Sequence, residues 1–342
     1  MKIERIKIEG LWHEFNIDWS LYPDVNILVG GNGSGKSTVL DLIHTIMPPF
    51  RMGRFFSHKA EKITIWGEND YKIECVNFDD SFLNLEKKAK QDPSYNKLYE
   101  DIFTDLKKKE GSVVNLAIDA SFTQFFHGEK NITKHLMESK INVDVIDTLD
   151  SPIDEDETLS SSFRELKKKR PLTVMDKALF DSMEQYSFYI GKLASNLESR
   201  ALKERTISLS FVKDLYAQKH LFAEVLNDFF KETGKTVDFS EPKPSFVLSS
   251  GKHISMYDLS SGEKQVLYIF LKVLLQEKKD YILFMDEPEV SLHIDWQEKL
   301  IENILRINPN CQLIITTHSP SLLNVKWRDK TVNLERIKTD VR

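Results

Sequence analysis

The chain has 342 residues, of which 41% are apolar and 29% charged, with 21 Phe, 13 Gly and 11 Pro. That length supports two lobes with their own cores, and the composition excludes a disordered, collagen-like or low-complexity chain. The net charge of −6 excludes a globally basic nucleic-acid binder, and two cysteines, Cys75 and Cys311, are too few for a disulfide framework.

The N-terminus reads Met-Lys-Ile-Glu-Arg-Ile-Lys-Ile-Glu and lacks the apolar core of a signal peptide. The longest apolar stretch, Val266 to Leu275, is interrupted by Lys272 and is short of the ~20 residues a bilayer requires. A soluble, cytoplasmic protein with no membrane partner is expected.

In chain order, the first 80 residues read mostly as strands. Ile6 and Ile8 alternate with charges, as do Phe15, Ile17 and Trp19, which predicts a half-buried antiparallel pair. Val25 to Val29 reads as a central strand covered on both faces. A Gly-rich turn and a helix from about Ser37 follow, ending before Pro48-Pro49. Ile63/Ile65 and Tyr71/Ile73/Cys75 suit a hairpin. Val113 to Ile118 and Ile141 to Ile146 are candidate strands, and the acidic run Asp147 to Glu157 reads as an exposed connector.

Next comes helical spacing. Leu172, Met175, Leu179, Met183, Tyr186, Ile190, Leu193 and Leu197 fall on one stripe. A second helix is expected from Phe211 to Glu232, with Ser210 as N-cap and Gly234 as stop. The pair reads either as a packed helical lobe or as a short antiparallel arm. Phe188, Tyr189 and the basic run Lys167 to Arg170 are left to dock a protein or nucleic acid. Lys107 to Lys109 is a second candidate nucleic-acid contact, although such runs are commonly solvated faces. Towards the end, Val266 to Gln276 reads as a buried helix. Tyr281 to Met285 and Leu313 to Thr317 read as strands joined by a helix at about Asp295 to Leu305.

The chemistry begins at Gly30-Gly31-Asn32-Gly33-Ser34-Gly35-Lys36-Ser37-Thr38, which fits G-x-x-x-x-G-K-[ST] between a strand and a helix. Glycines let successive N–H groups form an anion nest, and the helix N-terminus adds partial positive charge. Gly30, Asn32, Gly33, Ser34, Gly35, Lys36, Ser37 and Thr38 are therefore the expected phosphate cradle of an ATP site. Lys36 would reach the β- and γ-phosphates and Ser37 would ligate Mg²⁺. Tyr281-Ile-Leu-Phe-Met-Asp286-Glu287-Pro288-Glu289 is an apolar strand ending in carboxylates. Asp286 is expected to hold the Mg²⁺ with Ser37, and Glu287 to polarise the attacking water. Glu289 reads either as a supporting residue or as a solvated charge.

Leu259-Ser260-Ser261-Gly262-Glu263-Lys264-Gln265 resembles the signature motif of ABC-type ATPases, in the soluble branch with SMC proteins and RecF. The order P-loop, signature, Asp-Glu strand, Thr316-Thr317-His318-Ser319-Pro320 strengthens the resemblance. It implies an α/β ABC-type ATPase head, residues 1–80 and 240–342, with an inserted mixed and then helical lobe at 81–239 (helical arm about 165–235). It implies that Ser260, Ser261, Gly262 and Glu263 contact the γ-phosphate of ATP held by another subunit, in a homodimer or higher oligomer closed by an ATP sandwich. His318 would sense the same phosphate, and Ser291-Leu292-His293 holds the D-loop position. Ser260 or Ser261 also reads as a helix N-cap, with Glu263 in the first turn. Gln124 is a candidate for the Q-loop, and Trp12, His13 and Phe15 for stacking on adenine.

The Asp-Glu-Pro-Glu-Val-Ser-Leu-His and Thr-Thr-His-Ser-Pro phrases are similar to those of bacterial antiphage ATPases: the OLD, Septu-type, retron-associated and PARIS families. Only 24 residues follow His318, so the Toprim nuclease of OLD proteins is not expected here. The resemblance implies a slow, dimer-dependent ATPase that senses or restrains a separate effector, a nuclease or toxin. A RecF/SMC-like repair ATPase is the alternative. A transporter subunit is disfavoured by the long insertion.

Overall fold

The computed structural model describes residues 1–48, 59–77, 121–146, 160–168, 171–204, 206–239 and 243–341. The expected strand Val113 to Ile118, the lysines 107–109, the acidic run 147–157 and residues 169–170 lie outside them. The chain forms two compact units, Met1–Val143 with Lys330–Arg342, and Asp144–Asp329. This division differs from the expected boundaries at 80 and 240. Ser121–His127 joins the N-terminal sheet, and the long helices pack on the signature helix. Each segment therefore falls with its packing partner.

The N-terminal unit is built on period-2 alternation. Ile3–Leu11 pairs with Phe15–Ser20 on one side, Ile6 opposite Trp19 and Ile8 opposite Ile17. On its other side it pairs with Lys62–Gly67, Ile6 opposite Ile65 and Ile8 opposite Ile63. All six side chains are buried, so the alternation selects one face for the core. The predicted hairpin forms, with Ile63 opposite Cys75 and Ile65 opposite Ile73. The whole antiparallel sheet runs Lys338–Asp340, Phe15–Ser20, Ile3–Leu11, Lys62–Gly67, Tyr71–Asn77, Ser121–His127, Lys130–Ile132. Gln124 lies inside it, buried opposite Glu74. In the same unit Val25–Val29 pairs in parallel with Thr331–Asn333. It leads into the helix Lys36–Thr45, whose Val39, Leu40, Leu42 and Ile43 are buried.

In the second unit Tyr281–Asp286 and Cys311–Thr316 run parallel, Asp286 opposite Thr316. Parallel neighbours need a crossover, and the helix Ile294–Ile307 supplies it. The signature helix Ser261–Leu275 is apolar on nearly every side and buried along most of its length, as a helix covered all round must be. Two long helices, Val174–Lys203 and Leu209–Phe230, pack on it. The first starts in a Thr173/Asp176 capping box and buries Met175, Leu179, Met183, Tyr186 and Leu193 of the expected stripe, with Ile190 and Leu197 half-buried and Leu172 buried ahead of the helix. The second is capped by Ser208 rather than Ser210, because the Ser208 hydroxyl accepts from the Phe211 N–H at 3.2 Å.

The two long helices differ in burial along their length. The lower halves of the two helices are core, whereas no described residue from 194 to 221 is buried. There the pair is held by contacts such as the Arg200 guanidinium over the Phe211 ring. Tyr189 is buried, contrary to its expected docking role, whereas Phe188 is 78% exposed and Lys168 is exposed. A small antiparallel sheet, Lys235–Asp238, Ser245–Leu248 and His253–Ile254, precedes the signature. Its strands are too short for alternation to announce them.

Candidate functional site

Residues 30–35 join the strand Val25–Val29 to the helix Lys36–Thr45 in the N-terminal unit. Gly33 and Gly35 have φ of 74° and 102°, backbone that turns N–H groups towards a common point. Gly35 is also the helix N-cap and offers no side chain to the first-turn N–H groups. A Cβ on Gly35 would lie 2.3 Å from Cη2 of Trp12, so another residue would have to displace that ring and would be strained at this φ. Lys36 is 5% exposed and folds back over the loop, its Nζ 3.4 Å from the carbonyls of Gly30 and Gly31. The Ser34 N–H donates to the Gly31 carbonyl at 3.2 Å, and the Ser34 hydroxyl is buried without a partner among the described residues. Cβ atoms on Gly31 and Gly33 would meet nothing within 4 Å. The loop is thus a donor-rich cradle, open on one side, with a buried lysine. It fits a polyphosphate chain. Asn32 and Ser37 are exposed and Thr38 is half-buried.

Trp12 and His13 form a tight turn with φ of 53° and 62°. That turn presses the Trp12 ring on Gly35. His13 is exposed beside Glu61, and the Phe15 ring lies 4.9 Å from Nζ of Lys338.

The second unit holds the remaining candidates. Asp286 ends its strand and accepts a hydrogen bond from the Thr316 hydroxyl. The Glu287 N–H donates to the Thr316 carbonyl at 3.1 Å. Just past this lock Glu287 has φ of 46°, a left-handed conformation that costs about 1–3 kcal/mol for a non-glycine residue. Its carboxylate is fixed by the switch loop: Oε2 accepts the His318 N–H at 3.0 Å, and Oε1 lies 3.4 Å from Nε2 of His318. The sequence left Glu289 open between support and solvation. In the structure its Oε1 accepts from the N–H groups of His318 (2.9 Å) and Ser319 (3.0 Å) and from the Thr317 hydroxyl. Asp286, Glu287, Glu289 and His318 therefore form one cluster.

Ser260, and not Ser261, caps the signature helix. Its hydroxyl accepts from the Glu263 N–H, and Glu263 Oε2 accepts the Ser260 N–H at 2.9 Å. Ser260 and Ser261 are exposed, but Glu263 is 2% exposed. Its other oxygen accepts from Thr233 (2.6 Å) and Lys235 (2.8 Å). The Glu263 carboxylate is thus turned inward and holds the helix start. Burial pushes its pKa up, yet the hydrogen bonds from Lys235, Thr233 and the Ser260 N–H outweigh this and keep it below the usual range. Gly262 is buried against the D-loop, where a Cβ would sit 2.3 Å from the Ser291 carbonyl oxygen. The D-loop continues the Glu287 turn: Val290 N–H donates to the Glu287 carbonyl and Leu292 N–H to that of Glu289. Gln265 reinforces it, donating to the Pro288 carbonyl at 2.7 Å. His293 is exposed at the start of the next helix, 3.3 Å from Asp295.

The family model described as "AAA domain, putative AbiEii toxin, Type IV TA system" matches residues 25–324. The chain belongs to that AAA family. Among curated relatives of this AAA protein, the Septu protein PtuA of Bacillus thuringiensis is 25% identical over 94% of this chain and 72% of its own length. The retron Vc95 probable ATPase of Vibrio cholerae serotype O1 biovar El Tor is 22% identical over 92% and 68%. The DNA replication and repair protein RecF of Marinomonas sp. (strain MWYL1) is 22% identical over 97% and 94%. Among solved structures, an SMC head bound to the C-winged helix domain of ScpA aligns over 100% of this chain and 98% of its own, at 11% identity and TM-score 0.54. The fold is that of an ABC-type ATPase head, and the chain is an ATPase of AAA/ABC type related to defence ATPases and to RecF.

Proposed function

We propose that this ATPase binds ATP with Mg²⁺, closes an ATP-dependent dimer, and uses slow hydrolysis to control a separate effector in antiphage defence. The observation that carries the catalytic part is the cluster of Glu287, Glu289 and His318, in which two carboxylates fix the switch histidine. Bound ATP–Mg²⁺ supplies the transferable phosphoryl group and a charge-neutralising cation. Lys36 and the N–H groups of residues 33–36 bind the phosphates. By the motif resemblance, the Ser37 hydroxyl and Asp286 would hold the cation. Glu287 orients the attacking water and takes its proton. His318 donates from Nε2 to the γ-phosphate, and its main chain is kept in place by Glu289. Exposed Ser260 and Ser261 offer the signature to a second copy.

The defence assignment is supported by PtuA and the retron ATPases. RecF, matched along 94% of its length, supports a second reading as a repair ATPase. The part of the helix pair between residues 194 and 221, where no described residue is buried, is the proposed partner contact in either case.

The assembly is tested by mixing a Lys36→Ala chain with a Ser260→Arg chain. Each alone lacks a working sandwich, and a head-to-tail pair regains one of two sites. Recovered hydrolysis supports the composite site, and an inactive mixture of two folded proteins refutes it. Pull-downs from the native host with residues 194–221 replaced by a short linker test the partner contact. Unchanged capture of the same proteins rejects it.

A further inference from the structure

The last strand of the N-terminal unit, Lys338–Asp340, pairs antiparallel with Phe15–Ser20, Lys338 opposite Ile17. This register delivers a second lysine to the P-loop. Nζ of Lys338 donates to the Ser34 carbonyl at 2.9 Å and to Glu335 Oε1 at 2.9 Å, and it lies 4.9 Å from the Phe15 ring centroid. The side chain is 9% exposed.

We infer that Lys338 is a positioning residue for nucleotide binding: it fixes the Ser34–Gly35 peptide so that the Gly35 N–H faces the phosphate cradle. The inference rests on the P-loop reading above. In a planar trans peptide the C=O and N–H point in opposite directions. A carbonyl held by Lys338 therefore aims the next N–H away from Lys338. The constraint matters because Gly35, at φ 102°, has no side chain to stop the peptide from turning. Trp12 closes the loop on another side, at the position a Gly35 Cβ would take. A cationic donor makes a stronger hydrogen bond than a neutral one, and its charge raises the potential of the loop for an anion.

The cradle formed by such N–H groups holds the α- and β-phosphates, which ADP and ATP share. The test is equilibrium binding of ADP and ATP to the full chain, wild type against Lys338→Met and Lys338→Arg. Melting temperatures without nucleotide are recorded alongside. Lys338→Met should weaken both nucleotides alike, by about tenfold or more. KM for ATP should rise in step and kcat at saturation stay unchanged, the pattern of lost uniform binding. Lys338→Arg, which keeps charge and donor, should recover most of the affinity. Unchanged binding by folded Lys338→Met overturns the inference, whether or not its melting temperature falls. A loss confined to ATP also overturns it, since that would mean direct contact with the γ-phosphate. If Lys338→Met does not fold, Lys338→Gln is judged by the same outcomes. Wild-type protein that binds neither nucleotide would instead reject the P-loop reading itself.

Discussion

Replacing Gly262 by Ala probes how the signature helix is joined to the catalytic turn. The new Cβ would stand 2.3 Å from the Ser291 carbonyl oxygen, where real Cβ contacts stay beyond 3.0 Å. The neighbour is backbone, so no rotamer change relieves the clash. Helix and D-loop must separate, and overpacking of this kind costs about 1–3 kcal/mol. At roughly 2–4 °C per kcal/mol for a domain of 150–250 residues, the melting temperature should fall by about 2–12 °C. The push does not stop at Ser291, because Val290 and Leu292 are bonded back to the carbonyls of Glu287 and Glu289. Turnover should therefore drop together with stability. Nucleotide binding at the P-loop, in the other compact unit, should persist. Differential scanning fluorimetry and steady-state phosphate release measure the two effects. A Gly262→Ala protein with wild-type melting temperature and turnover would refute the close approach and the coupling drawn from it.

Glu289→Ala removes the acceptor for two N–H groups and one hydroxyl of the switch loop. It should cut kcat at least about tenfold and move KM less; Glu289→Gln, which keeps an acceptor oxygen, should be milder in phosphate-release assays. Glu263 titrates below its usual range when folded. Its ionised form thus contributes stability above the ordinary carboxylate value of about 4.3, and that contribution is lost as pH falls through the depressed folded value. Glu263→Gln should flatten the acid side of the melting-temperature profile, and an unaltered profile would count against the buried Lys235 pair.

Patterns of period two and single-purpose loops were legible in the sequence. Ile6, Ile8, Ile17 and Trp19 all face the core as their alternation requires. The P-loop and the Asp286 strand sit at the ends of the expected elements. What stayed hidden depends on tertiary approach. Lys338 meets Ser34 across 304 residues of chain, and no local pattern marks such a pair. Glu289 stays open between support and solvation in the sequence because two of its three partners are main-chain N–H groups, which every residue has. Tyr189 lies beside the helical stripe rather than on it, and only the packing of its neighbours buries it. The small sheet at 235–254 has strands of two to four residues, below the length at which alternation is readable.

The most direct test of the catalytic account is ATP binding and phosphate release by wild type and Glu287→Gln, with Lys36→Ala as the binding control. Wild type should hydrolyse ATP slowly. Glu287→Gln should bind ATP as wild type does but turn over about 10²–10⁴-fold more slowly, the usual contribution of a positioned base. Lys36→Ala should lose binding. Glu287→Gln hydrolysing ATP at the wild-type rate would contradict the account.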